Sequence, residues 1–210
     1  MLMHTRTLQL PGIFKKHNQA NKLQNNIGNP FELTCCSPEE TRLLGMRLGQ
    51  QLLPGDVICL QGELGAGKTT MVQGLAAGWG SLDAVSSPTF VLVNVYRRPD
   101  GEQLFHFDTY RVESASEAEE LDLESMLVNG ALIIEWPERM ESILPKERLW
   151  ITLDYIFEQD ADEISSNNSK AETNTLNQLP ENIRTIVFTP AGGRYISIVE
   201  NIRKNYGESK

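Results

Sequence analysis

Eight consecutive residues, Gly62-Glu63-Leu64-Gly65-Ala66-Gly67-Lys68-Thr69, bring together three glycines, an ammonium and a hydroxyl. The pattern Gly-x-x-x-x-Gly-Lys-Thr suits a loop that cradles phosphate. Gly62, Gly65 and Gly67 let the backbone turn through unusual φ and bring bare N–H groups to phosphate oxygens. A helix starting near Lys68 would aim its positive dipole end at the same anion. Lys68 supplies a point charge for β- and γ-phosphates, and the Thr69 hydroxyl suits Mg²⁺. A glycine-rich turn with no ligand is the competing reading. It is disfavoured by the flanks: an apolar strand, Val57 to Leu60, leads in, and Met71, Val72, Leu75, Ala76 and Trp79 follow at helical spacing, ending at Gly78 and Gly80.

A second group of residues sits downstream. Ala131-Leu132-Ile133-Ile134 is an apolar run that ends in Glu135 and then Trp136-Pro137. A strand-end acid of this kind is where phosphate-loop proteins place the carboxylate on the Mg²⁺ side. A predicted strand runs from Gln103 to Phe107 with His106-Phe107-Asp108 at its end, and alternation puts His106 and Asp108 on one face and Phe105 and Phe107 on the other. His106 reads as a satisfied interior histidine rather than a catalytic one. Asp108, at a strand end beside a nucleotide site, reads as functional.

The elements that must position these residues follow from patterning. Phe31-Glu32-Leu33 is a short edge strand. Ser37-Pro38-Glu39-Glu40 is a capping box with proline at the first helical position, opening a helix over Leu43, Leu44, Arg47, Leu48 and Leu52 that stops at Pro54-Gly55. In Ser87-Pro88-Thr89-Phe90 the proline forces Ser87 into an extended conformation and sets Thr89 just before a strand over 90–96. Arg98-Pro99-Asp100-Gly101 turns that strand into the next. Residues 113–124 read as an acidic helix with Ala118, Leu121 and Leu123 inward. Strands follow at Arg148 to Tyr155 and Arg184 to Thr189. A last amphipathic helix puts Tyr195, Ile198, Val199 and Ile202 inward and ends at Tyr206-Gly207.

The chain has 210 residues and a net charge of −9, unevenly spread. Residues 1–30 hold four bases and no acid, whereas 31–156 hold twenty acids against nine bases. Such an acidic body argues against gripping RNA or DNA unaided, because phosphate contacts need clustered Lys and Arg. Three cysteines, Cys35, Cys36 and Cys59, fit no metal spacing and suit a reducing cytoplasm. No run of eighteen apolar residues could span a membrane. The polar tail 1–30 and the acidic insertion 157–182 read as disordered, leaving one domain over 31–206.

Four markers occur in one order: the loop Gly62 to Thr70, Ser87-Pro88-Thr89-Phe90, His106-Phe107-Asp108-Thr109-Tyr110-Arg111, and Glu135-Trp136-Pro137. Over about residues 31–155 the chain resembles the TsaE (YjeE/YdiB) family of bacterial ATPases, which serve tRNA threonylcarbamoyladenosine biosynthesis. The resemblance implies an α/β P-loop NTPase fold of three layers with a mixed parallel/antiparallel central sheet. It implies ATP or ADP binding with Mg²⁺, slow hydrolysis, and action with TsaB and TsaD partners on N6 of adenosine 37 in ANN-decoding tRNAs. The tRNA would be met only through that complex. Position by position, Gly65, Ala66, Gly67, Lys68, Thr69 and Thr70 would cradle phosphate, and Thr69 and Glu135 would hold the metal. Thr89 would sense the γ-phosphate, Asp108 would act at the attacking water or metal shell, and Trp136 would lie by the nucleotide. Family contacts near the first helix would fall around Ser37 to Thr41.

Other classes are weighed by their required motifs. A small GTPase needs a base-reading Asn/Thr-Lys-x-Asp and a switch Asp-x-x-Gly, and neither is present. A nucleoside or nucleotide kinase needs an arginine-rich lid, for which Arg97-Arg98 is thin support. A nucleotide-gated binding module without turnover is the closer rival, since the loop predicts binding rather than hydrolysis. Arg111 is the arginine nearest the site in sequence.

Overall fold

The computed structural model describes residues 27–85, 92–111, 122–155 and 183–207. In chain order these form β1 (Phe31–Cys35), α1 (Pro38–Gly49), β2 (Val57–Gln61), α2 (Lys68–Trp79), β3 (Val93–Arg97), β4 (Gln103–Asp108), α3 (Leu123–Asn129), β5 (Gly130–Glu135), β6 (Arg148–Tyr155), β7 (Arg184–Ala191) and α4 (Gly193–Gly207). The strands make one mixed sheet in the order β1-β7-β6-β2-β5-β4-β3. Strand β2 is parallel to both neighbours, β5 and β6, and β4 is parallel to β5, while β3 and β7 run against the strands beside them. This is the three-layer α/β P-loop arrangement with a mixed sheet that the resemblance implies.

Alternation along the strands splits the core in two. Ile58, Leu60 and Ile133 face a large cluster with Leu44, Leu48, Met71, Leu75 and Ile198, under α1, α2 and α4. Val57, Cys59, Leu132 and Ile134 face a smaller one with Phe105, Phe107, Leu123 and Met140. β2 and β5 are buried on both faces, as their unbroken apolar runs require. Burial also pushes the Cys59 thiol up to about 12, which leaves it a packing residue.

Helices α1 and α2 touch backbone to backbone. A Cβ on Gly45 or Gly49 would lie 2.5 or 2.1 Å from the carbonyl oxygen of Met71 or Leu75. Conversely, a Cβ on Gly74 or Gly78 would lie 2.1 or 1.9 Å from that of Arg42 or Met46. Two small-residue seams, each spaced by four, therefore interlock. This corrects the expected end of α2: Gly78 lies inside the helix as a contact residue, and Gly80, with φ of 94°, is the left-handed stop.

Other boundaries also move. Helix α1 ends at Gly49, and Leu52 is buried from the turn that follows rather than from the helix. Its cap is realised by Ser37 Oγ accepting from Glu40 N–H (3.1 Å), while Glu40 Oε2 reaches Cys36 N–H rather than that of Ser37 (2.7 Å). Strand β4 continues to Asp108, and β7 to Ala191. Leu123 and Glu124 do not close a long acidic helix: Asp122 caps a new one, α3, through Ser125 N–H at 3.0 Å. Gly28 N–H already donates to Pro190 O on β7 (2.9 Å), so residues just before Phe31 are seated on the sheet. The tail 1–26, the insertion 157–182, residues 113–121 and the segment Ser87 to Phe90 lie outside the described residues. Among the described residues, no helix is long and apolar enough to cross a membrane.

The helix seam sets propensity against packing. Alanine is the better helix former by about 1 kcal/mol, yet Gly78→Ala should destabilise the fold by about 1–3 kcal/mol, because the methyl meets fixed backbone. Urea unfolding reads the sign, and a neutral or stabilising result would remove the seam.

Candidate functional site

The parallel strands end in step. Leu60 of β2 lies beside Glu135 of β5, and Glu135 beside Asp108 of β4. Open α/β sheets bind ligands beyond such carboxyl ends. Here the loop 62–67 folds over them and α2 begins at Lys68. Gly62, Gly65 and Gly67 adopt φ of 151°, 85° and 102°, the conformations for which the motif supplies glycine. A Cβ on Gly62 would lie 2.3 Å from Leu153 O, so that position has no room for a side chain either.

The resulting cleft, of about 360 Å³, is lined by Gly65, Gly67, Lys68, Thr69 and Thr70 from the loop and helix, with Leu64 at the rim. Asp108, Tyr110, Arg111, Glu135 and Trp136 complete the wall. Gly62 and Ala66 are buried beneath it. The structure thus brings the loop, Asp108, Glu135 and Trp136 together from separate segments. Thr89 lies outside the described residues. Ser37 caps α1 instead, Thr41 Oγ1 in its first turn donates to Ser37 O at 3.3 Å, and none of residues 37–41 lines the cleft.

Lys68 is 4% exposed. Its Nζ donates to Gly62 O at 2.7 Å and Glu63 O at 2.9 Å, and it stands 3.8 Å from the centre of the Trp136 ring. Burial holds the ammonium below the ordinary lysine range, a tendency that the nearby Glu135 and Asp108 carboxylates oppose. Thr69 Oγ1 donates to Glu135, with the two carboxylate oxygens at 3.0 and 3.2 Å. Glu135 is 3% exposed and is held from behind by His106 Nε2, 3.0 Å from Oε1. With Glu135 ionised, Nε2 carries the proton, and Nδ1 is left to accept from the Tyr96 hydroxyl at 3.1 Å. His106, fully buried, is the satisfied interior residue expected, and in addition it orients a site carboxylate.

Trp136 has φ of 61°, the one positive φ outside glycine among the described residues. Its N–H donates to Leu60 O at 3.1 Å, and Thr109 Oγ1 sits 2.9 and 2.6 Å from the carbonyl oxygens of Glu135 and Trp136. These bonds hold a strained residue against the site, its ring tilted against Tyr110 at 4.9 Å. Asp108 Oδ1 accepts from Tyr110 N–H at 3.1 Å, so this carboxylate also caps the turn that carries Arg111.

The donor set also bears on a metal. Among the described residues no three His, Cys, Asp or Glu are grouped to hold one by themselves. A hydroxyl and a carboxylate side by side fit a hard cation that takes its other ligands from water and phosphate, as Mg²⁺ does. The arginines of the β3–β4 hairpin are committed elsewhere: Arg97 pairs with Asp83 at 2.7 Å, and Arg98 with Asp100 and Glu102. They form no lid.

Two residues that the sequence pattern did not single out reach the loop. Arg184 Nε donates to Ala66 O at 3.0 Å, and the Tyr155 hydroxyl donates to Gly65 O. Both are strand-end residues, and no local motif marks them.

Comparison with known proteins agrees with this geometry. The sequence model described as "Threonylcarbamoyl adenosine biosynthesis protein TsaE" matches residues 35–163. The chain is 34% identical to the tRNA threonylcarbamoyladenosine biosynthesis protein TsaE of Bacillus subtilis over 170 residues, 80% of this chain and 91% of that protein. It is 42% identical to the Streptomyces coelicolor protein of the same name over 125 residues, 59% of this chain and 84% of that one. The crystal structure of YdiB from Bacillus subtilis superposes with a TM-score of 0.59 at 28% identity, covering 84% of this chain and 96% of the other. With its markers carried on the sheet ends and loop just described, the chain belongs to the TsaE family.

Proposed function

We propose that this protein binds ATP and ADP with Mg²⁺ and hydrolyses ATP slowly, in support of threonylcarbamoyl transfer to N6 of adenosine 37 in ANN-decoding tRNAs. The observation that carries the reading is the meeting of Lys68 and Thr69 with Glu135 beneath a glycine loop whose carbonyls are already bonded to side chains. Family membership supplies the pathway, tRNA threonylcarbamoyladenosine biosynthesis.

In this reading the loop amides of residues 65–70 and the N-terminus of α2 receive the phosphates. Lys68 exchanges the Gly62 and Glu63 carbonyls for β- and γ-phosphate oxygens, which restores the charge stabilisation that burial costs it. Thr69 and Glu135 would hold Mg²⁺, which supplies charge neutralisation on the phosphates when bound. His106 keeps Glu135 turned toward Thr69. Asp108 accepts from the attacking water and sets it in line. Trp136 packs over the Lys68 end of the cleft. Arg111 is the single arginine on the described cleft wall, and it is exposed. With Arg111 as the one arginine lining the cleft among the described residues, turnover is slow until partners close the site. Those partners are homologues of TsaD and TsaB, and an acidic chain of net charge −9 reaches tRNA only through them. The setting is the cytoplasm.

Four measurements test this. Lys68→Ala should weaken ADP affinity by about 10- to 100-fold in calorimetry, and an unchanged affinity would reject the phosphate site. Glu135→Gln should slow Mg²⁺-dependent phosphate release by about 10²- to 10³-fold while metal-free ADP binding stays as in the wild type; equal losses in both would remove its metal role. In a Trp79→Phe, Trp150→Phe background, Trp136 emission should change on ADP addition as Lys68 leaves the ring, and a flat titration at saturation would place the nucleotide elsewhere. Phosphate release measured with and without the two partner proteins separates the ATPase from a binding module.

A further inference from the structure

The loop's carbonyl groups are held partly from outside the motif. Gly62 O and Glu63 O are taken by Lys68, within the motif itself. Two carbonyls further along the loop, those of Gly65 and Ala66, are taken by Tyr155 and Arg184. These two residues are 29 apart in sequence but are cross-strand partners, at the end of β6 and the start of β7. The Arg184 guanidinium stacks on the Tyr155 ring at 4.9 Å, and Nη2 lies 3.4 Å from the Tyr155 hydroxyl. Arg184 is 5% exposed, and a Cβ on Gly67 would come within 3.0 Å of its Nε. A buried cation therefore lies directly behind the turn that is to receive an anion.

We infer that Tyr155 and Arg184 form a positioning pair for phosphate binding. A peptide unit that points its carbonyl at a fixed donor must point its N–H the other way, so anchoring Ala66 O orients the amide of Gly67, while anchoring Gly65 O sets the Ala66 N–H, which donates to Glu63 O at 3.1 Å and closes the turn. Arginine suits the place because its planar fork can donate from Nε while its face stacks on an aromatic ring; lysine can do one or the other. Neither residue is catalytic. The inference rests on the nucleotide-binding reading above and assigns part of that binding to a pair of antiparallel strands outside the loop motif.

The test uses the full chain and ADP in calorimetry, with kcat and KM for ATP and the melting temperature without nucleotide. Arg184→Met should weaken ADP binding by about tenfold or more and raise KM, with kcat retained because Thr69, Asp108 and Glu135 are untouched. Arg184→Lys should recover part of the affinity by keeping one donor for Ala66 O. Tyr155→Phe should move affinity in the same direction with an unchanged melting temperature, and the double variant should lose less than the two single losses combined, since each group holds the other. Should Arg184→Met fail to fold, Tyr155→Phe alone decides. Wild-type ADP affinity in Tyr155→Phe, strictly additive losses, or a fall in kcat at constant KM would each overturn the pair. Absence of ADP binding by the wild-type protein would overturn the nucleotide reading itself.

Discussion

A backbone that offers its N–H groups to an anion must do something with its carbonyls. In the loop 62–67 that constraint is met largely by side chains, Lys68 on Gly62 and Glu63, Tyr155 on Gly65 and Arg184 on Ala66, with the Ala66 and Met71 amides on Glu63 O and Gly67 O. Unbonded carbonyls at the mouth of an anion site would repel the ligand and cost free energy in a partly dry cleft. Much of the rest of the molecule brings these donors to the loop. Lys68 comes from the first turn of α2, which the glycine seam presses against α1. Tyr155 and Arg184 come from antiparallel strands whose register places them opposite one another.

The carboxylates obey a second constraint, that strand ends decide what faces the ligand. Parallel pairing puts Leu60, Glu135 and Asp108 at one level, so two acids stand at the rim where the loop turns over. Each is bonded within the protein. Glu135 receives Thr69 and His106, and Asp108 receives the Tyr110 amide. A chain from buried Tyr96, His106 and Glu135 to the half-buried Thr69 crosses from β3 through β4 and β5 to α2. A closed network of this kind fixes the rotamer of the one acid that meets the helix, which is what an oxygen ligand to a shared cation needs.

The balance of charge is also informative. Lys68 sits among Glu135, Asp108, Glu138 and Glu63 while burial disfavours its charged form. Such a lysine gains from a phosphate partner more than a solvated one does, because the ligand both pairs and replaces lost solvation. Several arginines of the described chain are held in structural pairs, Arg97 with Asp83, Arg98 with Asp100 and Arg194 with Asp56. That distribution favours tight holding of phosphate over fast transfer, in keeping with the proposed reading of a slow ATPase that works within a complex.

Local chemistry was readable wherever a single segment carried it. The glycine loop, the capping residue Ser37, the inward face of α4 and the apolar run ending at Glu135 each depend on neighbours within a few residues, and each forms as its pattern requires. His106 read correctly as interior, in a strand that is buried on both faces from Leu104 to Phe107. What tertiary structure alone decided were contacts between distant segments. The four helix glycines mark where two backbones meet, which spacing within one helix does not reveal, and Gly78 had read as a breaker. Arg184 and Tyr155 looked like ordinary strand residues. Their meeting at the loop depends on the register of β6 against β7 and on β2 lying next to β6, and such pairings are set by how whole strands pack rather than by any residue's own neighbours.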